Sequence, residues 1–225
     1  MNQIENQSKK EECVSVFALI KQGEFEKIND LLLENAINVN TVDSVGNDVV
    51  VKLLKAKQYD LVMELMKKRN WDVNHQNDEG NTFGHILAQD DSVMAIKIVE
   101  QLTKKKNYMP NIKNNKGETA MDIALTNNYL CTAFKILEDK RFNDIDIFSF
   151  KQLFHASIKN ELYGKYSKIM NFEIIVDNLE KKELPMRMRE LIDQIVHNRE
   201  AIKRDIMDNH SLLLEDMIEG HLVLE

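Results

Sequence analysis

Proline and glycine are scarce in this chain, 2 and 7 among 225 residues, and they are the two residues that cost most in helix interiors. Set against abundant Leu, Ile, Met, Glu and Lys, that scarcity predicts an all-α fold. Cysteine is as scarce as proline, with 2. Cys13 and Cys131 stand far apart among apolar neighbours, which argues against a disulfide framework or a zinc site and fits a reduced, intracellular compartment, cytoplasmic or nuclear. An excess of basic residues is also missing: net charge is −7, with 18 basic against 21 acidic residues over 1–140 and 12 against 16 over 141–225. That balance argues against a nucleic-acid binder. No run of about 18 apolar residues occurs, and the polar opening "MNQIENQSKKEE" is not followed by an apolar stretch long enough for a signal sequence. Nothing here is expected to span or target a membrane. What is present is ordinary for a globular protein, 43% hydrophobic and 30% charged, enough for a core in one large domain or two small ones.

Chemistry-bearing patterns are absent too. Six histidines, at 75, 85, 155, 197, 210 and 221, show no H-E-x-x-H or comparable spacing, and no Gly-rich phosphate loop follows a strand. No catalytic residue, metal ligand or cofactor-binding residue is nominated, and the chain is not expected to be an enzyme.

The few glycines that remain are not scattered. Aligning Ile37, Trp71 and Tyr108 brings Asn40, Asn74 and Asn111 into one column, then Asp43, Asn77 and Asn114, then Gly46, Gly80 and Gly117, then Asp48, Thr82 and Thr119, then Leu53, Leu87 and Ala124. The glycines are 34 and 37 residues apart. An Asn/Asp-x-x-Gly run reads as a tight turn whose Gly takes φ > 0 without a Cβ penalty. The Thr two residues later caps a helix. Short apolar segments follow, "FGHILAQDD" and "AMDIALTNN", and then longer amphipathic ones, "SVMAIKIVEQLTKKK" and "YLCTAFKILEDK". A unit of turn, short helix and longer helix cannot hide its apolar flank alone and has to stack on a neighbour.

In "DEGNTFGHILA" and "NKGETAMDIAL" this unit resembles the ankyrin-repeat family pattern D-x-x-G-x-T-P-L-H-x-A-A. Phe83 and Gly84 stand where the family has Pro and Leu, and Ala120, Met121 and Asp122 replace Pro, Leu and His. The stretch 43–69 keeps Gly46 but not Thr, Pro or His, and 14–35 looks like the family's opening helix pair without a hairpin. The resemblance implies an ankyrin-type helical-repeat solenoid with short β-hairpin turns over residues 13–140, in units 13–36, 37–70, 71–107 and 108–140. A flexible N-terminus, 1–12, precedes it. His85 sits at the family's TPLH histidine, which implies a hydrogen bond between neighbouring loops, and Asp122 is placed for a similar bond in the next unit.

Where the family ending carries a small Ala, this chain has Ile37, Trp71 and Tyr108. Those side chains either fill space between stacked units or stand out toward a partner. Aromatic residues usually go to cores, yet Trp and Tyr are also the commonest binding hot spots. Extra residues around "LTKKKN" are expected in a loop after the longer helix. "KKR" at 67–69 and "KKK" at 104–106 each end a longer helix, where cations complement the dipole.

After Arg141 the glycine turn no longer recurs, and 141–225 is expected to be a helical capping region with an acidic C-terminal segment. Phe150, Leu153, Phe154, Ile158 and Leu162 form one apolar face, and Ile169, Phe172, Ile175, Val176 and Leu179 another, predicting two helices. Beyond Pro185, "MRMRELIDQIVHNREAIKRDIM" reads as one further helix. The last 18 residues hold five acidic residues and no Lys or Arg; they either dock on the body or lay their apolar side chains into another protein's groove.

The resemblance implies a non-enzymatic protein–protein interaction module, an adaptor or regulator that is monomeric by itself and holds a protein partner at its hairpin tips and concave helix face. That nominates Val45, Asp78, Glu79, Asn115 and Lys116 at the tips, with Trp71, His75 and Tyr108 beside them. The alternative is a regulatory or assembly factor, transcription-linked or a host-directed effector, whose acidic C-terminal segment docks on a second protein.

Overall fold

The computed structural model describes residues 16–34, 36–145, 147–163, 172–184 and 186–208. The N-terminus 1–12, Cys13, His210, His221 and the acidic segment from residue 209 onward lie outside the described residues. Those described are mostly helical, with no strand and one isolated bridge, between Val42 and Asp48. The expected hairpins are therefore tight turns rather than strand pairs. The chain divides into two compact units, Met1–Tyr108 with Ile112–Glu118, and Met109–Asn111 with Thr119–Glu225.

In the first unit the helices are α1 (16–22), α2 (Phe25–Leu33), α3 (Val49–Lys55), α4 (Tyr59–Met66), α5 (Phe83–Leu87) and α6 (Val93–Thr103). The short helix α3 packs against both α4 and α5, while α6 packs against α4 and α5. That explains why α3, "VVVKLLK", is apolar nearly all round despite the low helix propensity of Val: it is covered on two sides. Leu53, Leu65, Leu87 and Ile98 are fully buried, each worth about 1.5–3 kcal/mol relative to exposure.

Caps define where these helices begin. The Asp48 carboxylate accepts from Val51 N–H at 2.7 Å and starts α3; Ser92 Oγ accepts from Ala95 N–H at 3.1 Å and starts α6. Links between paired helices also repeat. Gly23, Lys57 and Asn128 have φ of 76°, 57° and 59°, and in each case two successive N–H groups close back on the preceding helix, as in Lys57 to Leu54 and Gln58 to Leu53. Glycine is the cheap residue at such a site, and only one of the three is glycine.

The extra residues before Tyr108 do not form a bulging loop. Helix α6 has 11 residues where α4 has 8, so the added length lies in the helix, with Leu102 and Thr103 its last residues, while 104–107 form a four-residue link to Tyr108 just as 67–70 do to Trp71. Lys67 and Lys104 occupy the C-cap positions, placing the two lysine runs at the helix ends as expected.

The second unit holds α7 (Ala120–Thr126), α8 (Leu130–Leu137), α9 (Ile147–Tyr163), α10 (Phe172–Glu180), α11 (Met186–His197) and α12 (Arg199–Met207). Helix α9 is its centre, in contact with α7, α10 and α12. Leu153, Phe154 and Ile158 from α9 meet Phe172, Ile175 and Leu179 from α10 in the core, and the Phe154 and Phe172 rings lie 5.5 Å apart edge to face. The single helix expected over 186–207 is two. Asn198 ends α11 by donating to the Gln194 carbonyl, while its own carbonyl accepts from Ala201 and Ile202 N–H to start α12. Asn is a weak helix former, and the break lets Leu191, Ile192 and Ile195 on one side and Ile202 and Ile206 on the other all be buried.

Candidate functional site

The three Gly columns become three turns of one design, all within the first unit. At each, the residue three before the glycine closes the loop with backbone and side chain together. Asp43 N–H donates to the Asn47 carbonyl, Asn77 N–H to that of Asn81 and Asn114 N–H to that of Glu118, at 2.9, 3.0 and 2.9 Å. The side-chain oxygen of the same residue accepts two turn amides: Val45 and Asn47 for Asp43, Glu79 and Asn81 for Asn77, Lys116 and Glu118 for Asn114. Gly46, Gly80 and Gly117 have φ of 76°, 75° and 80°, the left-handed region that only Gly enters cheaply.

These turns are joined in a row. Asp78 N–H donates to the Val45 carbonyl (3.3 Å) and Asn115 N–H to that of Glu79 (3.0 Å). Side chains repeat the link: Asn77 Nδ2 donates to Asn47 Oδ1 at 2.9 Å and Asn114 Nδ2 to Asn81 Oδ1 at 3.0 Å. The other asparagine column ties the base of each unit. Asn40 Nδ2 donates to the Asn70 carbonyl and its Oδ1 accepts from Asp72 N–H; Asn74 Nδ2 donates to the Asn107 carbonyl; in the second unit Asn111 does the same with Arg141 and Asn143.

Five of the eight nominated residues stand on this row. Val45 is 50% exposed, and Asp78, Glu79, Asn115 and Lys116 are exposed. His75 is half-buried, with Nε2 2.8 Å from the Gly46 carbonyl, where it donates. Trp71 and Tyr108 do not face a partner. They are 2% and 3% exposed, because their rings fill the interior: Trp71 Nε1 donates to Asp48 Oδ2 at 2.9 Å and its ring meets Phe83 edge-on at 5.1 Å. Gly84 explains how Tyr108 fits, since a Cβ there would come 2.8 Å from the Tyr108 hydroxyl. Burial pushes the Asp48 carboxyl above its usual range against the bonds from Val51 and Trp71 and the nearby His75. Asp43, more exposed, sits below the usual range: burial raises it, but the bonds from Asn47, Lys52 and Val45 outweigh that.

His85 is a structural group. Thr82 N–H donates to its Nδ1 at 3.1 Å, so the proton is on Nε2, which donates to the Glu118 carbonyl at 3.0 Å. Asp122 does the corresponding work in the second unit, where its Oδ2 accepts from Thr119 N–H and its Oδ1 from Ser149 Oγ.

One group escaped the sequence reading entirely. Lys182 is 6% exposed; its ammonium donates to the Asp139 and Phe142 carbonyls at 3.0 and 2.7 Å and lies 5.7 Å from the Phe142 ring centre. Burial pulls its pKa down to about 8, partly offset by Asp139. Phe142 was findable, one period beyond Tyr108 with the same backbone link to the residue three before it. Lys182 was not, because its partners lie about forty residues away. Among the described residues no group of three His, Cys, Asp or Glu side chains could hold a metal ion, and no helix is long and apolar enough to cross a membrane.

A scan against protein-family models and a search of curated proteins found no match to this sequence.

Proposed function

We propose that this chain is a non-enzymatic protein-binding module of ankyrin-repeat type, holding a protein partner along the turn row. The observation that carries the reading is the row itself: three turns of equal geometry, cross-linked by backbone and Asn side chains, that leave Val45, Asp78, Glu79, Asn115 and Lys116 exposed. A braced backbone has little freedom left to lose on binding, which removes the loop-ordering part of the cost that reduces affinity. The surface they form is chemically mixed, apolar at the first turn, acidic at the second and basic at the third. Such a pattern suits specific recognition of a polypeptide better than a uniform charged ligand.

The test is affinity capture from the native cell with wild-type chain and with Asp78→Arg, Glu79→Arg. Both side chains are exposed, and the one side-chain bond they lose is that from Asn81 Nδ2 to Glu79 Oε2 at 2.9 Å, so the thermal midpoint should fall only slightly, by no more than in Glu79→Ala, while one interactor is lost. An unchanged set of interactors at unchanged stability overturns the reading.

A further inference from the structure

The row of turns has a direction, and its last member carries an edge that the other two have already used. At the second turn that edge receives a single asparagine twice: Asn115 N–H donates to the Glu79 carbonyl at 3.0 Å, and Asn115 Nδ2 to the Asp78 carbonyl at 2.9 Å. At the first turn it receives an aspartate once, Asp78 N–H on the Val45 carbonyl, because a carboxylate has no proton to give to the second acceptor. The equivalent carbonyls of the third turn belong to Lys116 and Asn115, and among the described residues neither accepts a hydrogen bond. Both residues are exposed. Space agrees with the bonding. A Cβ on Gly46 or Gly80 would lie 3.0 or 2.7 Å from the amide nitrogen of the incoming residue, whereas no described residue comes within 4 Å of the same position at Gly117.

We propose that the outer edge of the third turn binds a partner through an asparagine in extended or turn conformation, which gives its backbone N–H to the Lys116 carbonyl and its side-chain Nδ2–H to the Asn115 carbonyl. The occupant is defined by what the chain itself places on the preceding turn. Asparagine is chosen over aspartate because two carbonyls need two donors. The Lys116 ammonium, exposed beside the edge, further favours an acidic residue next to that asparagine. This deepens the reading of the turn row as a protein-binding surface and rests on it, but it invokes backbone carbonyls at one end rather than the tip side chains along it.

The probe is a cyclised peptide carrying the turn Asn-Asn-Glu-Gly, titrated to millimolar concentration into the full-length ¹⁵N-labelled chain. Amide shifts are expected at Lys116, Gly117 and Glu118. Replacing the second Asn of the peptide by Asp removes one neutral hydrogen bond and should weaken binding about threefold to tenfold; Lys116→Glu in the chain should weaken it too, with an unchanged thermal midpoint. Equal binding of the Asn and Asp peptides overturns the proposal, as does the lack of any shift. Shifts confined to Val45, Asp78 and Glu79 overturn it while leaving the tip reading standing, and capture losses caused by Asp78→Arg, Glu79→Arg judge that reading separately.

Discussion

Gly80 and Gly117 share one backbone conformation and differ only in what lies over them, so alanine at each separates local strain from contact between turns. Their φ values are 75° and 80°. At Gly117 alanine brings only the left-handed penalty, about 1–2 kcal/mol, since no described residue lies within 4 Å of the added carbon. At Gly80 the same carbon would stand 2.7 Å from Asn115 N and 2.5 Å from its Oδ1. The amide cannot swing aside without stretching the 3.0 Å bond to the Glu79 carbonyl. Overpacking of that kind costs about 1–3 kcal/mol more, for a difference near 2 kcal/mol between the variants. Gly46→Ala should fall between them, because its shortest contact, 2.8 Å, is to the mobile Asp78 Oδ1. The assay is urea unfolding followed by Trp71, the one tryptophan in the chain and buried in the unit that carries the turns. With a slope of about 2 kcal/mol/M, Gly80→Ala should unfold about 1 M earlier than Gly117→Ala. Equal midpoints for the two would refute the stacking of the second turn on the third.

Three other outcomes are expected. Lys57→Gly removes a lysine from φ 57° on an exposed link and should raise stability by about 1 kcal/mol, read from the same urea midpoint; a loss would mean that the left-handed turn is not formed. Gly84→Ala should destabilise the wild-type chain through the 2.8 Å approach to the Tyr108 hydroxyl but be neutral or stabilising in Tyr108→Phe, where alanine's helix preference of about 1 kcal/mol prevails; a double-mutant cycle with no coupling refutes it. Lys182 releases its proton at about 8 when folded, against 10.5 as its ordinary value, so in that interval unfolding takes a proton up. Stability of the C-terminal unit should rise with pH there, by about 1 kcal/mol per unit, and Lys182→Met should flatten the slope. A fall with pH in the wild-type chain contradicts the burial.

Much was legible without coordinates because the determinants are short-range. An Asx three residues before a glycine, and a Thr or Asp two after it, satisfy turn and cap amides within their own segment, so Asp43, Asn77, Asn114, Asp48 and Thr119 can be read from spacing alone. Helix faces followed from apolar periodicity for the same reason. The fate of Trp71 and Tyr108 was not local. A large ring states how much volume it will occupy but not on which side, and that was decided by Asp48 supplying an acceptor to one and Gly84 leaving room for the other.

The sequence by itself determined the helical class, the period and the chemistry of each turn, because those depend on φ preferences, caps and hydrogen bonds between near neighbours. Only the tertiary structure decided that the turns form a row in which the first two edges are used and, among the described residues, the third is not, that two aromatic candidates are core, and that Lys182 is buried on the Asp139 and Phe142 carbonyls. Those outcomes hang on atoms tens of residues apart meeting within about 3 Å, and no single segment carries that information.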